Sequence, residues 1–339
     1  ERRWLATFAH CAAPAGHRWK RENPLRLIAL ACAVLIMVIP QPKSNSITFL
    51  DVGQGDGICV RLASGEVYLF DCGSSSRKKI GEKVLIPFLK YHGITKVDAV
   101  FISHADADHV NGLQELFASA DKEHIRIGQI VLPRTERSGR EDDRQESGTR
   151  EDDRQKAFSN ILQSMEGMKH APPVTEICAG VQWNSCAGKV SFLCLHPSAD
   201  GTGDGKNESS ECFYITFSDD AKVDASGAGK NISILLTGDV EGSGERQLLE
   251  ELKKRGISDI DIYKCAHHGS SGTNSAELLA QITPRCTVIS CGNKNPYGHP
   301  HAELLERLKD VKSFIVQTRE SGAVTVKIHA GQWEIATYK

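Results

Sequence analysis

The 339-residue chain carries 41 Lys and Arg against 43 Asp and Glu, a formal net charge of -2, and is 40% hydrophobic and 25% charged. That is ordinary globular composition, with enough length for one large domain or two modest ones. It excludes a surface coated in basic residues, so any nucleic-acid partner is held locally, by a groove or a metal.

The chain begins at Glu1 rather than Met, as expected for a piece of a longer protein. Residues 27–39, LIALACAVLIMVI, are an uncharged apolar run bracketed by Pro24 and Pro40. The run is shorter than the roughly 20 residues that cross a bilayer. Its length also suits a buried helix or a signal-peptide core, but no A-x-A-type cleavage site follows. Arg2, Arg3, Arg18, Lys20, Arg21 and Arg26 precede it and only Lys43 follows closely. The expectation is therefore a membrane span with a cytoplasmic basic segment before it and an exported domain after it. The boundary falls between 1–45 and 46–339.

Beyond it, strand-like and helix-like segments alternate. SITFLDV and GICVRLA read as strands joined by the glycine-rich DVGQGDG, and EVYLFDCGSS is a third, ending in Asp71. EKVLIPFLKYHGI is an amphipathic helix closed by Gly93. VDAVFIS is a fully apolar strand, then comes HADADHVNG, then a helix over LQELFASA. REDDRQ occurs at 140–145 and again at 150–155 in a run without apolar residues, which reads as a solvated insertion over about 137–156. Further on, ISILLTGD, IDIYKCA and CTVISCG are strands, with helices over GERQLLEELKKRG and SAELLAQI. Such alternation predicts an α/β layered fold. The eleven cysteines contain no CxxC pair, and most read as small buried hydrophobes. Cys178 and Cys186 are spaced to close a hairpin in an oxidising compartment.

Polar residues capable of binding metal collect at the strand ends. VFIS is followed by His104, Asp106, Asp108 and His109, SFLCL by His196, ISILLTG by Asp239, IYKCA by His267 and His268, and VISCG by a loop holding His299. In layered α/β folds, ligand sites form beyond the carboxyl ends of strands, so these loops can meet at one edge. Some of these residues have plainer readings. His196 before a proline suits a turn, and Asp239 could cap the helix that follows. Four such side chains within six positions at 104–109 have no comparable packing use, and with the others they supply enough donors for two cations.

HADADH resembles the metal-binding signature of the metallo-β-lactamase superfamily in an H-x-D-x-D-H form. FLDVGQGDGICVRL, LFDCG, SHADADHVNGL, LLTGDVE, AHHGSSG, NPYGHP and ESGAVTV together are similar to the C-terminal domain of the ComEC family, membrane channel proteins for DNA uptake in competent bacteria. The likeness covers about 46–339. It implies a metallo-β-lactamase-like αβ/βα sandwich, a di-metal site and hydrolysis of DNA phosphodiesters, with the non-transported strand degraded during natural transformation. The apolar run would then be the last helix of a membrane channel domain. Implied partners are single-stranded DNA, that channel domain and other DNA-uptake proteins. The implied location is the cell membrane, with the hydrolase on the extracytoplasmic side.

Carried onto this sequence, His104, Asp106, Asp108, His109 and Asp239 match metal-ligand positions. His196 matches by order and strand-end context alone. His268 and His299 both stand at suitable places, one to bind metal and the other to assist proton transfer to the leaving group. Asp108 serves as ligand and water-orienting group. Asp51, Asp56, Asp71 and His267 are expected against the site as support. Lys78 and Lys79 are candidate phosphate contacts in an otherwise solvated loop. Asp106 stands where the commoner superfamily pattern has histidine, and a carboxylate there makes the site harder and more anionic. Two divalent ions are expected, manganese ahead of zinc. Two alternatives stand beside the nuclease: a hydrolase of a small ester, lactone or β-lactam, marked by a narrow apolar pocket, and a non-catalytic domain gripping DNA beside the channel.

Overall fold

Strand VYLFDC shows how the layers arise. Tyr68 and Phe70 point to one side of it and join one apolar cluster, while Val67, Leu69 and Cys72 point to the other and join a second. With side chains alternating along a strand, burial at every position, apolar but for Asp71, means that both faces are covered. The structure, a computed structural model, describes residue 28 and residues 44–134, 158–186, 188–199, 207–218, 231–293 and 295–339. The chain divides into units 1–43 and 44–339.

In the second unit the first strands are β1 (Asn45–Phe49), β2 (Gly57–Arg61), β3 (Val67–Cys72), β4 (Lys96–Val97), β5 (Ala99–Phe101), β6 (Arg126–Ile127), β7 (Ile130–Pro133) and β8 (Val174–Ile177). They are followed by β9 (Gln182–Asn184), β10 (Val190–His196), β11 (Cys212–Phe217), β12 (Ile232–Leu236), β13 (Ile262–Lys264), β14 (Cys286–Ile289), β15 (Phe314–Gln317), β16 (Ala323–His329) and β17 (Gln332–Tyr338). Among the described residues one sheet runs β17-β16-β1-β2-β3-β5-β7-β8 and the other β15-β14-β13-β12-β11-β10-β9, with β4 and β6 paired separately. Each large sheet is antiparallel in one part and parallel in the other. The parallel pairs are β3/β5, β5/β7 and β7/β8 in the first, and β12/β13, β13/β14 and β14/β15 in the second.

The sheets face each other across an apolar core. Phe70 stacks on Phe101 at 4.6 Å, and Phe213 meets Phe101 edge-on at 4.9 Å. Helices cover the outer faces. Ala107–Glu123 buries Val110, Leu113, Leu116, Phe117 and Ala120, a stripe at three- and four-residue spacing, against the first sheet. Gly242–Arg255, Ala276–Ile282 and Ala302–Asp310 supply the apolar layer on the second. This is the αβ/βα sandwich expected from the sequence.

Two expectations change, and a third falls outside the described residues. The helix read as beginning at Leu113 begins at Ala107, with Asp106 as its N-terminal cap residue, so Asp108 and His109 lie in its first turn. Ile28 apart, the expected span 27–39 lies outside the described residues, as does the REDDRQ insertion; among the described residues no helix is long and apolar enough to cross a membrane. Cys178 and Cys186 are free thiols, one buried and one exposed.

Candidate metal centre

The centre forms where β5 ends. Ile102, Ser103 and His104 carry the chain off that strand, and the helix starting at Ala107 turns it back, so His104 and His109 face one another with ring centroids 4.0 Å apart. Asp71, at the end of the neighbouring β3, fixes this turn. Its carboxylate accepts from the Ser103 backbone N–H at 2.8 Å and the Ser103 hydroxyl at 2.6 Å, and His109 Nδ1 lies 2.9 Å from it. From the second sheet, Asp239 arrives after β12 and His268 after β13. His268 directs Nδ1 to the Ser290 carbonyl at 3.1 Å.

With Nδ1 of both histidines committed, Nε2 is the free lone-pair atom in their neutral forms. His109 Nε2 is 3.3 Å from Asp239 Oδ1, and His268 Nε2 is 3.3 Å from Asp239 Oδ2 and 3.6 Å from Asp108 Oδ2. His104 Nε2 lies 3.9 Å from Asp106 Oδ2. His104, His109 and Asp239 each bring a ligand atom within 4.8 Å of the others; so do Asp108, His109 and His268, and also Asp56, Asp239 and His268. Nε2 of His104, His109 and His268 and Oδ1 of Asp239 are buried without a hydrogen-bond partner. Leaving a buried polar atom unmatched costs about 1–3 kcal/mol. The four come from three chain segments and fall in overlapping groups, His104, His109 and Asp239 in one and His268 with Asp239 or His109 in others, donor sets that fit divalent cations.

Electrostatics agree with this arrangement. Burial and the neighbouring His109 pull His104 down to about 4, so at neutral pH its imidazole is uncharged, as a metal ligand must be. Burial raises Asp108, but the nearby His268 and the charge of His109 outweigh that and hold it at about 2. For Asp239, burial is likewise outweighed by His268 and His109, which keep it well below the carboxylate range.

Other sequence-derived candidates sit elsewhere. His196 is buried beside the same edge but outside these groups: Nδ1 faces the Ser210 carbonyl at 2.8 Å and Nε2 faces Gln247 Oε1 at 3.3 Å. His299 is also outside them, with Nδ1 3.4 Å from Gln54 Nε2, and burial together with His267, His268 and His301 takes it down to about 4. His267 sits at the open side, 26% exposed, with Nδ1 2.9 Å from Glu241 and Nε2 3.8 Å from Asp239. Asp51 faces outward and pairs with Arg77 at 3.1 Å. Lys78 is exposed, and Lys79 is turned to Glu82 at 2.9 Å.

Asp56 borders the centre, and its partner went unread in the sequence. Lys264, fully buried, reaches Asp56 Oδ2 at 2.5 Å. Burial opposes its charge, but Asp56 and Asp239 outweigh that and raise its pKa. The signal was a lone lysine closing an otherwise apolar strand, IYK, where a long cationic side chain has no solvent to reach. Ser103 and Ser210, which flank His104 Nδ1 at 3.0 and 3.4 Å, carry no sequence mark at all.

Residues 50–175 match the Metallo-beta-lactamase superfamily model. The chain is 27% identical over 311 residues to ComE operon protein 3 of Bacillus subtilis (strain 168), covering 87% of this chain and 35% of that protein. It is 27% identical over 323 residues to Recombination protein 2 of Haemophilus influenzae, covering 93% and 33% respectively. To Competence protein ComA of Neisseria gonorrhoeae it is 25% identical over 356 residues, covering 97% and 41%. The chain thus spans about a third of the length of the first two relatives. These matches bear out the resemblance read from the motifs: most of the chain is similar to competence proteins of the ComEC kind, and residues 50–175 to the Metallo-beta-lactamase superfamily model.

Proposed function

We propose that this ComEC-like domain is a metal-dependent phosphodiesterase that cuts DNA, degrading the strand that is not taken up during natural transformation. The observation that carries the reading is the pair of adjoining donor groups, His104 with His109 and Asp239, and Asp108 with His109 and His268, whose histidine Nε2 atoms are buried and unpartnered. Competence-protein relatives supply the context that makes DNA the first substrate to test.

In this reading His104, Asp106, Asp108, His109, Asp239 and His268 hold the cations, with manganese ahead of zinc because Asp106 brings a hard oxygen. Bound divalent ions acidify a water and polarise the phosphoryl oxygens. Asp108, held ionised by His268, orients the attacking water. His267, backed by Glu241 and open to solvent, is better placed to protonate the leaving oxygen than His299, which is neutral near pH 7. Single-stranded DNA, a channel domain of the same protein and other DNA-uptake proteins are the partners. The site of action is the cell membrane, with this domain on the extracytoplasmic side.

The test is end-labelled single-stranded DNA incubated with the chain and Mn2+, beside Asp106→Ala and His109→Ala. Metal-dependent cleavage, lost in both variants, is expected. A folded, Mn2+-loaded chain that leaves DNA intact but opens a lactone or β-lactam reporter would replace this reading with the small-substrate hydrolase.

A further inference from the structure

Glu211, immediately before β11, is buried to 2% exposure, and neither oxygen of its carboxyl group has a hydrogen-bond partner. A cavity of about 20 Å³ lies against it, bordered on its polar side by Asp56, Asp71 and Ser103. Asp56 Oδ1 is likewise buried and unpartnered.

An ionised carboxylate in this position would need a cation or several donors. The nearby donors are taken: Lys264 Nζ is on Asp56, while the Ser103 hydroxyl and His109 Nδ1 are both on Asp71. Burial, with Asp71 adding to it, holds the Glu211 carboxyl well above the usual carboxylate range. The cavity meets the roughly 10–15 Å³ that one water requires, and a buried water needs two to four polar partners. A metal cation fits poorly, because Phe70, Phe101 and Phe213 form much of the remaining wall and cannot contribute to a shell of six or more oxygens.

We propose that the cavity is a built water site, in which the carboxyl O–H of Glu211 donates to one buried water whose two hydrogens go to Asp56 and Asp71. The Glu211 hydroxyl, Asp56 and Asp71 each then gain a partner, and no charge is added to the core. Asp71 holds His109 by Nδ1, and Asp56 holds Lys264 and lies 3.7 Å from His268 Nδ1. Glu211 is therefore a positioning residue that acts through the water on the two carboxylates behind the centre. The role rests on the metal centre proposed above but not on DNA being the substrate.

The test uses the full chain with Glu211→Gln, which keeps a donor and an acceptor, and Glu211→Leu, which keeps bulk and removes both. Infrared difference spectra at pH 7 should show a protonated carboxylic acid band in the unmodified chain that is missing in Glu211→Gln. Titration with Mn2+, followed by the electron-spin signal of the free ion, should show Glu211→Gln within about threefold of the unmodified chain. Glu211→Leu should lose about 10- to 100-fold in affinity, the usual effect of removing support behind a metal ligand. No acid band lost in Glu211→Gln, or unchanged Mn2+ affinity in Glu211→Leu, would overturn the proposal. If Glu211→Leu failed to fold, or no Mn2+ bound, the infrared result alone would decide the protonated carboxyl without which the water site fails. A chain that bound Mn2+ as expected but left DNA uncut would sink the nuclease reading and leave this one standing.

Discussion

At the scale of single residues, the centre is a contest between protons and cations. Burial lowers His268, but Asp239 and Asp56 outweigh it and push the imidazole up to about 9; His109 is likewise raised, against burial, by Asp239 and Asp71. A ligating histidine must be neutral, so cations compete with these protons. Chelator-treated protein at pH 7 should release about two protons on binding Mn2+, measured by calorimetry in buffers of different ionisation heat. Release of none would mean that these imidazoles are not displaced. The stability sign follows from the same shift. His268 is raised above its ordinary 6.5, so its contribution is complete below that pH and lost as pH rises towards 9. The Tm of chelated protein should therefore fall over this window while Mn2+ affinity rises. Lys264 separates the two quantities in another way. Lys264→Met strands Asp56 as an unpaired buried charge, an expected loss of about 3–5 kcal/mol in urea unfolding of chelated protein. It also removes a positive charge beside Asp56 and Asp239, so Mn2+ should bind more tightly. A variant that weakened both would show that Lys264 places the ligands rather than balancing their charge.

At the scale of elements, precision comes from backbone pressed on backbone. A Cβ on Gly73, just past β3, would lie 2.5 Å from Ala107 O and from His109 N. The first turn of the helix Ala107–Glu123 is thus seated against a segment that tolerates no side chain. Gly73→Ala should push that turn away, costing about 1–3 kcal/mol and shifting Asp108 and His109 off the centre. Reduced Tm together with reduced Mn2+ affinity is the expected pair of results, with Gly167→Ala, which has nothing within 4 Å, as the neutral control. This contact also explains what the sequence could reveal. Apolar runs such as VDAVFIS and ISILL marked strands, and the residues after them marked one edge. The helix start was misplaced because apolar three-and-four spacing becomes visible only around Val110 and Leu113, after the metal-capable residues have used the first turn. His196 reaches the same edge, but strand-end position does not record whether a ring nitrogen is free, and Ser210 and Gln247 face both of its nitrogens. The choice between His268 and His299 depended on how two loops fold back, which neither periodicity nor spacing records.

At the scale of the whole molecule, the centre draws its candidate ligands from both sheets, whereas the protein's charge would give DNA little to follow. The net charge is only -2, and many described surface cations already face acids: Arg77 with Asp51, Lys79 with Glu82, Lys90 with Glu123, Lys96 with Asp98 and Lys327 with Glu334. A protein that tracks single-stranded DNA by its backbone releases counterions, with a log–log salt slope of about -0.7 per phosphate contacted. With about two contacts the slope here should be about -1.4, less than about a tenfold loss of affinity between 50 and 200 mM salt. Anisotropy of a labelled oligonucleotide, with chelator present so that no strand is cut, measures this directly. A slope of about -4 or steeper would require some six phosphate contacts and show that an extended basic track guides the strand. A shallow slope places recognition at the centre itself, so that cations bound there would add more to affinity than all the surface lysines and arginines together. The same titration repeated with Mn2+ and the cleavage-deficient Asp106→Ala should then fall short of the affinity that Mn2+ confers on the unmodified chain in the first moments after mixing.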